Sequence, residues 1–377
     1  MGSRALARRR ASGSRRPGGL VAIGLLLALA GCSGDGTAAS EEAGDAADDP
    51  DGAETSEVPQ DPEVTVAVDG LELRGTLRLP DGVGPHTGIV IAHGSGPSSR
   101  RGESPGQLGL TLPTPVAVYE ELAAGFEADG YAVLTFDKRT CGPFNGCADN
   151  DYPTPADELL FDTFVDDLGA VVDHLAARDD IDRIVVAGHS KGGTVAAQLA
   201  DRRDDLDALV LLATPAIGVP ELLAAQAATL EELIIAVGQR GPQAERAIAE
   251  LEDLAVAVTA VEDGALDGPP IGGVSRAFWS SWIDAATAAT VAIATTDVPV
   301  LVVGGVNDFN VLPAQLEAWS GSLDGPDDDL VLLDDLTHAL TRLEGDDPAA
   351  ITPADVGSSV DQRVIDTVTQ WLHGLER

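Results

Sequence analysis

The chain has 377 residues and carries 62 Asp and Glu against 23 Lys and Arg, a formal charge of −39. A surface this acidic repels phosphate backbones and excludes nucleic acid as a partner. Its three cysteines and six histidines do not gather into a zinc or other metal-ligand pattern, and no cofactor-binding motif is present.

Residues 1–31 read as an export signal. Arg4, Arg8, Arg9, Arg10, Arg15 and Arg16 precede an apolar run from Leu20 to Ala30. The run closes on Leu29-Ala30-Gly31-Cys32, which resembles the lipobox of bacterial lipoproteins. Lipidation of Cys32 would then anchor an exported protein to the extracytoplasmic face of the cell membrane without spanning it. An ordinary secretory signal with an incidental cysteine is the alternative. Residues 32–63 are Gly, Ala, Ser, Pro and acid with no Lys or Arg. Such a segment buries too little apolar surface to offset its ordering entropy, so it reads as a disordered acidic tether.

Residues 64–377 suit one large domain. Alternating segments at 64–68 and 71–79 flank Asp69-Gly70, a hairpin signal. Residues 88–92 read as a buried strand, followed by a polar loop and a helix over 116–129. A second buried strand covers 131–136. The Pro/Gly/Asn-rich loop that follows holds Cys141 and Cys147, which an oxidising compartment would pair. Phe164, Leu168, Val171, Val172 and Leu175 recur at helical spacing over 163–178. Further strands are predicted at 182–187, 206–213, 298–303 and 330–333, and an amphipathic helix closes the chain over 360–375. Strands alternating with helices predict an α/β domain, with a mostly parallel sheet covered on both faces. The stretch at about 217–296 is too long for one crossover and carries three helical patterns, 221–238, 243–261 and 275–290. We read it as a helical cap above the carboxyl ends of the strands, with Phe278, Trp279 and Trp282 as packing residues and candidates for a pocket wall.

The most informative motif is Gly188-His189-Ser190-Lys191-Gly192, which follows the strand at 182–187 and opens a helix. In that setting Gly-x-Ser-x-Gly forms a sharp turn that lifts the serine hydroxyl clear of the sheet. Ser190 is the candidate nucleophile, and it needs a base. His338 follows the last strand on a short loop and takes that role by elimination among the histidines. Asp308, on the loop after the strand at 298–303, is the candidate acid that orients it, with Asp335 as the rival. The oxyanion would be held by the backbone N–H of Lys191 and by one from His93-Gly94-Ser95-Gly96-Pro97. Ser95 is favoured there, and Gly94 or Gly96 could serve instead.

These motifs, together with Asp137-Lys138-Arg139, resemble the exported esterase-like branch of the α/β-hydrolase superfamily, related to the dienelactone-hydrolase and serine-aminopeptidase groups. The resemblance implies an α/β-hydrolase fold and cofactor-free hydrolysis of a small-molecule carboxylic ester through an acyl-enzyme on the Ser190, His338, Asp308 triad. A peptidase or acyltransferase on the same residues is one alternative, and a surface-binding lipoprotein without turnover is another. The chain departs from the branch in the insertion that begins at Thr140-Cys141 and in the charged Lys191 beside the elbow. Asp137 and Arg139 are expected to tie loops together by ion pairing.

Overall fold

The computed structural model describes residues 63–107, 110–142, 147, 158–236, 240–343 and 356–376, with 104–107 and 110–114 as backbone alone. Cys32, the signal segment and all but the last residue of the acidic tether lie outside the described residues.

The chain opens with the hairpin β1 (Glu63–Val68) and β2 (Leu71–Arg78), turned at Asp69 and Gly70, both with positive φ. β3 (His86–Ala92), β6 (Ala132–Phe136), β7 (Ile181–His189), β8 (Ala208–Leu212), β9 (Val300–Gly305) and β10 (Asp329–Leu333) complete an eight-stranded sheet. Its order is β1-β2-β6-β3-β7-β8-β9-β10, antiparallel at the first two pairings and parallel from β6 to β10. This is the α/β-hydrolase fold that the motifs imply.

The inner strands read as unbroken apolar runs because both faces of the sheet are covered. Alternate side chains feed two cores. Val90, Leu134, Val186, Leu209, Leu211 and Val302 join one face, packed by α2 (Phe161–Ala176), α3 (Lys191–Ala200) and the helices between β8 and β9. Ile91, Val133, Ala187, Val210, Leu212 and Val303 join the other, packed by α1 (Val118–Ala128) and α8 (Gln362–Leu375).

Two segments depart from the sequence reading. The polar loop before α1 is a second hairpin, β4 (Glu103–Gln107) with β5 (Leu110–Ala117), so the helix starts at Val118 instead of Val116. Thr341–Leu343 (β11) also pairs with Val356–Val360 (β12). Between β8 and β9 lie α4 (Val219–Ala236), α5 (Pro242–Glu262) and α6 (Arg276–Thr295), close to the three helical patterns. The last is capped by Ser275, whose hydroxyl oxygen accepts from the Phe278 amide at 3.0 Å. Gln198 Nε2 donates to the Ala285 carbonyl at 3.2 Å, holding α6 to α3, and Gln226 Nε2 on α4 donates to the Asn310 carbonyl at 3.0 Å. A short helix, α7 (Pro313–Glu317), follows β9.

From β3 the chain passes to β6 on one side and then crosses to β7 on the other, so β3 and β7 are neighbours at a topological switch. The carboxyl ends flanking such a switch are where open α/β sheets bind ligands.

Candidate active site

β7 delivers Ser190 to that crevice through a strained turn. Ser190 has φ 54° and ψ −124°, a region that costs a non-glycine residue about 1–3 kcal/mol and persists only where the surroundings enforce it. The enforcement is visible at the flanking glycines. A Cβ at Gly188 would stand 2.4 Å from the Gly192 carbonyl oxygen, and one at Gly192 would stand 2.3 Å from that of Ala92. The Ser190 amide donates to the Leu212 carbonyl at 2.8 Å, which ties the elbow to β8.

His338 and Asp308 meet beside it. His338 Nδ1 lies 2.8 Å from Asp308 Oδ2, with the acid fully buried and the imidazole partly exposed. The other oxygen, Oδ1, accepts from the Asn310 and Val311 amides, each at 2.8 Å. Asp308 is therefore held by its own turn while it orients the ring, and His338 Nε2 faces away from the acid. The two loops are also joined directly, because the Asn307 amide donates to the Leu336 carbonyl at 3.1 Å. Asp335, the rival acid, has φ 60° and turns to Arg342 at 3.8 Å. Among the described residues no hydrogen bond joins Ser190 Oγ to His338.

The amides expected around an oxyanion are sorted by their partners. The Gly94 N–H donates to Tyr119 Oη at 2.9 Å and is thereby removed from the candidates. The Ser95 and Lys191 amides have no hydrogen-bond partner among the described residues. Gly94 packs against the elbow, since a Cβ there would lie 3.3 Å from Ser190 Cβ.

Three residues that sequence reasoning left without a role organise this crevice. His189 Nε2 lies 2.8 Å from the His338 carbonyl oxygen, which can only accept, so Nε2 carries the proton and Nδ1 is an acceptor. Tyr119 Oη, 3.2 Å from His189 Nδ1, then donates its hydroxyl proton there while accepting from Gly94. One directed chain thus runs from the oxyanion loop through α1 and the elbow to the loop of His338. Burial pushes His189 down to about 3 and Tyr119 up to about 12, so both are neutral in this chain. The third residue is Lys138, whose Nζ donates to the Gly94 carbonyl at 2.6 Å and the Gly96 carbonyl at 2.8 Å. The one signal that pointed to it is composition: Lys138 and Lys191 are the only lysines in the chain, and both fall in motifs.

The loop after β6 is tied down as expected. Arg139 makes a buried two-pronged pair with Asp167 on α2, and Asp137 Oδ1 accepts from the Arg100 amide at 2.8 Å. Cys141 and Cys147 form a disulfide immediately beyond. Phe278 and Trp282 of α6 are buried in packing and stand with Phe161 and Phe164 of α2 around the Lys191 ammonium, Phe164 at 4.1 Å from ring centre to Nζ. Trp279 is buried in packing and donates to the Ile271 carbonyl at 3.0 Å. No group of three or more potential metal ligands occurs among the described residues.

Comparisons with known proteins agree with this fold. The chain is 28% identical over 313 residues to Esterase EstD of Thermotoga maritima, covering 82% of this chain and 67% of that protein. Among solved structures it is similar to Est1E from Butyrivibrio proteoclasticus, with TM-score 0.50 and 18% identity over 83% of this chain and 98% of that one. It is similar as well to the proline iminopeptidase of Mycobacterium smegmatis, with TM-score 0.52 and 19% identity over the same shares. At those identities the two structures speak for the fold alone. Residues 115–346, more than half of the chain, match the family described as serine aminopeptidase, S33, and the chain belongs to that family within the α/β-hydrolases.

Proposed function

We propose that the chain hydrolyses small carboxylic esters through an acyl-enzyme on Ser190. The reading rests on the Asp308–His338 bond closing at the elbow of β7 beside two unpaired amides. His338 Nε2 takes the hydroxyl proton as Ser190 Oγ attacks the ester carbonyl. Asp308 keeps the proton-bearing Nδ1 toward itself and stabilises the imidazolium. The amides of Lys191 and Ser95 receive the negative charge of the tetrahedral intermediate, each worth roughly 3 kcal/mol when removed elsewhere. His338 then returns the proton to the departing alcohol, and water attacks the acyl group by the same route in reverse.

The family's description raises cleavage of an amide next to a free amine as a second reading. A substrate ammonium would approach the two lysines behind the elbow and be repelled, which favours the ester, as does likeness to EstD. The test is a panel of p-nitrophenyl esters, acetate to decanoate, against aminoacyl p-nitroanilides. Ester turnover with anilides at background is expected; turnover of the anilides alone would overturn the reading.

In this reading α4–α6 form the cap over residues 217–296, and the enzyme works outside the cytoplasm on a lipid anchor at Cys32. The Cys141–Cys147 disulfide supports an oxidising compartment. Metabolic labelling with a radioactive fatty acid should mark the full chain and fail on Cys32→Ser; equal labelling of both would refute the anchor.

A further inference from the structure

Behind the elbow is a small cavity of about 20 Å³, space for one water, lined by His93, Phe136, Lys138, Phe164, Asp167 and Lys191 among others. Both lysines of the chain are buried there, and their ammonium positions lie over the same ring, Phe164, at 5.0 Å for Lys138 and 4.1 Å for Lys191. The charge of one is close enough to act on the other. Two ammoniums packed against one ring in a closed, apolar space would repel each other with little solvent to screen them.

We propose that Lys138 and Lys191 form a dyad that carries a single positive charge and that it is the positioning element of the oxyanion loop. Lys138 is the neutral member. Its two N–H groups go to the Gly94 and Gly96 carbonyls. The protons of Lys191 face ring faces: Phe161 and Phe164 from α2, Phe278 and Trp282 from α6.

The charged surroundings require the same count. From α2 the only acid lining the cavity is Asp167, and both of its oxygens are taken by Arg139. From the loop after β3 comes His93, fully buried, neutral, and with Nε2 unpartnered. α6 contributes rings. A second ammonium would therefore be a buried charge with no counter-ion among the described residues, a state that the low-dielectric interior strongly disfavours. Burial lowers both amines, Lys191 to about 8 and Lys138 well below the usual amine range, with the Lys191 charge adding to the effect on Lys138. By holding the carbonyls of Gly94 and Gly96 inward, Lys138 turns the intervening Ser95 amide toward the crevice. This role rests on the ester-hydrolase reading, whereas the charge state of the dyad does not.

A chain with only two lysines allows a direct measurement. Protein labelled with ¹⁵N,¹³C-lysine should give two side-chain signals at pH 7, one amine and one ammonium, assigned with Lys138→Met and Lys191→Met. Two ammonium signals would overturn the dyad. In Lys138→Met, kcat on p-nitrophenyl acetate should fall by about 10- to 100-fold with KM within about twofold, because a displaced donor harms the transition state more than binding. Unchanged kcat, or loss confined to KM, would overturn the positioning role. Should the wild type neither turn over esters nor label with a fluorophosphonate, the ester reading and the positioning role fall together, and the lysine signals still decide the charge state. Should Lys138→Met not fold, Lys138→Gln, which retains a donor for one carbonyl, carries the same kinetic test.

Discussion

His189 Nε2 donates to the carbonyl oxygen of His338 at 2.8 Å, so the residue before the elbow serine is bonded to the backbone of the residue proposed as its base. The same imidazole accepts from Tyr119, which accepts from Gly94. Three loops with no sequence proximity are thereby fixed to one another by groups that carry no charge. Tyr119→Phe keeps the ring and removes both bonds of the hydroxyl. It leaves the Gly94 N–H and His189 Nδ1 buried without partners, which should cost about 1–3 kcal/mol in urea unfolding. Ester kcat should fall by about tenfold as the loop loosens. A variant of unchanged stability would show that the chain of bonds contributes nothing.

Burial also sets a pH dependence on stability. His93 and His189 are each held down to about 3 in the fold, by burial first, against 6.5 for an exposed imidazole. Below pH 6.5 the unfolded chain takes up protons that the folded chain refuses, so stability falls as the pH is lowered toward 3. Each imidazole contributes a slope of about 1.3 kcal/mol per pH unit near pH 5. His189→Gln should be less stable at pH 7 and should lose that much of the slope around pH 5. An unaltered slope would mean that His189 protonates in the folded state.

Asp308→Asn tests the orienting acid. The amide oxygen can still accept from Asn310 and Val311, but the NH₂ then faces His338 Nδ1 and favours the tautomer with its proton on Nε2. That nitrogen can no longer take the serine proton. We expect kcat to drop by about 10³- to 10⁴-fold with the fold intact, the scale of the same change in other triads. Asp335→Asn should leave kcat within about twofold, since Asp335 turns to Arg342. The reverse ranking would exchange the two acids.

The disulfide should stabilise by restricting the unfolded chain. A closed loop with sequence separation 6 is worth about 2 kcal/mol on loop-closure grounds. Cys141→Ser with Cys147→Ser should lower the unfolding free energy by that amount. Because the Cys141 amide donates to the Lys138 carbonyl at 2.7 Å, kcat should fall with it. Full activity in the double variant would separate the loop from the crevice.

The sheet was legible because each inner strand is an apolar run with both faces covered, and the elbow because its glycines and strand context are local. Asp308 and His338 followed from chain order, and the 2.8 Å bond between them joins loops that the sequence leaves 30 residues apart. The β4–β5 pairing was hidden by Pro105, Gly106, Pro113 and Pro115, residues that mark loops more often than strands. β11 and β12 lie too far apart in sequence, from Leu343 to Val356, to read as a hairpin. Tyr119 and Lys138 act through the tips of long side chains across the fold, which no local spacing encodes. The loss of Gly94 as an oxyanion donor follows from the same tyrosine.

The central claim is that Ser190 is an activated nucleophile, and a fluorophosphonate tests it without a choice of substrate. Incubated with the folded protein, the probe should attach once, on Ser190 by peptide mapping, with no attachment in Ser190→Ala and slowed attachment in Asp308→Asn. A folded wild-type protein that remains unlabelled, or one labelled at another residue, would contradict the account.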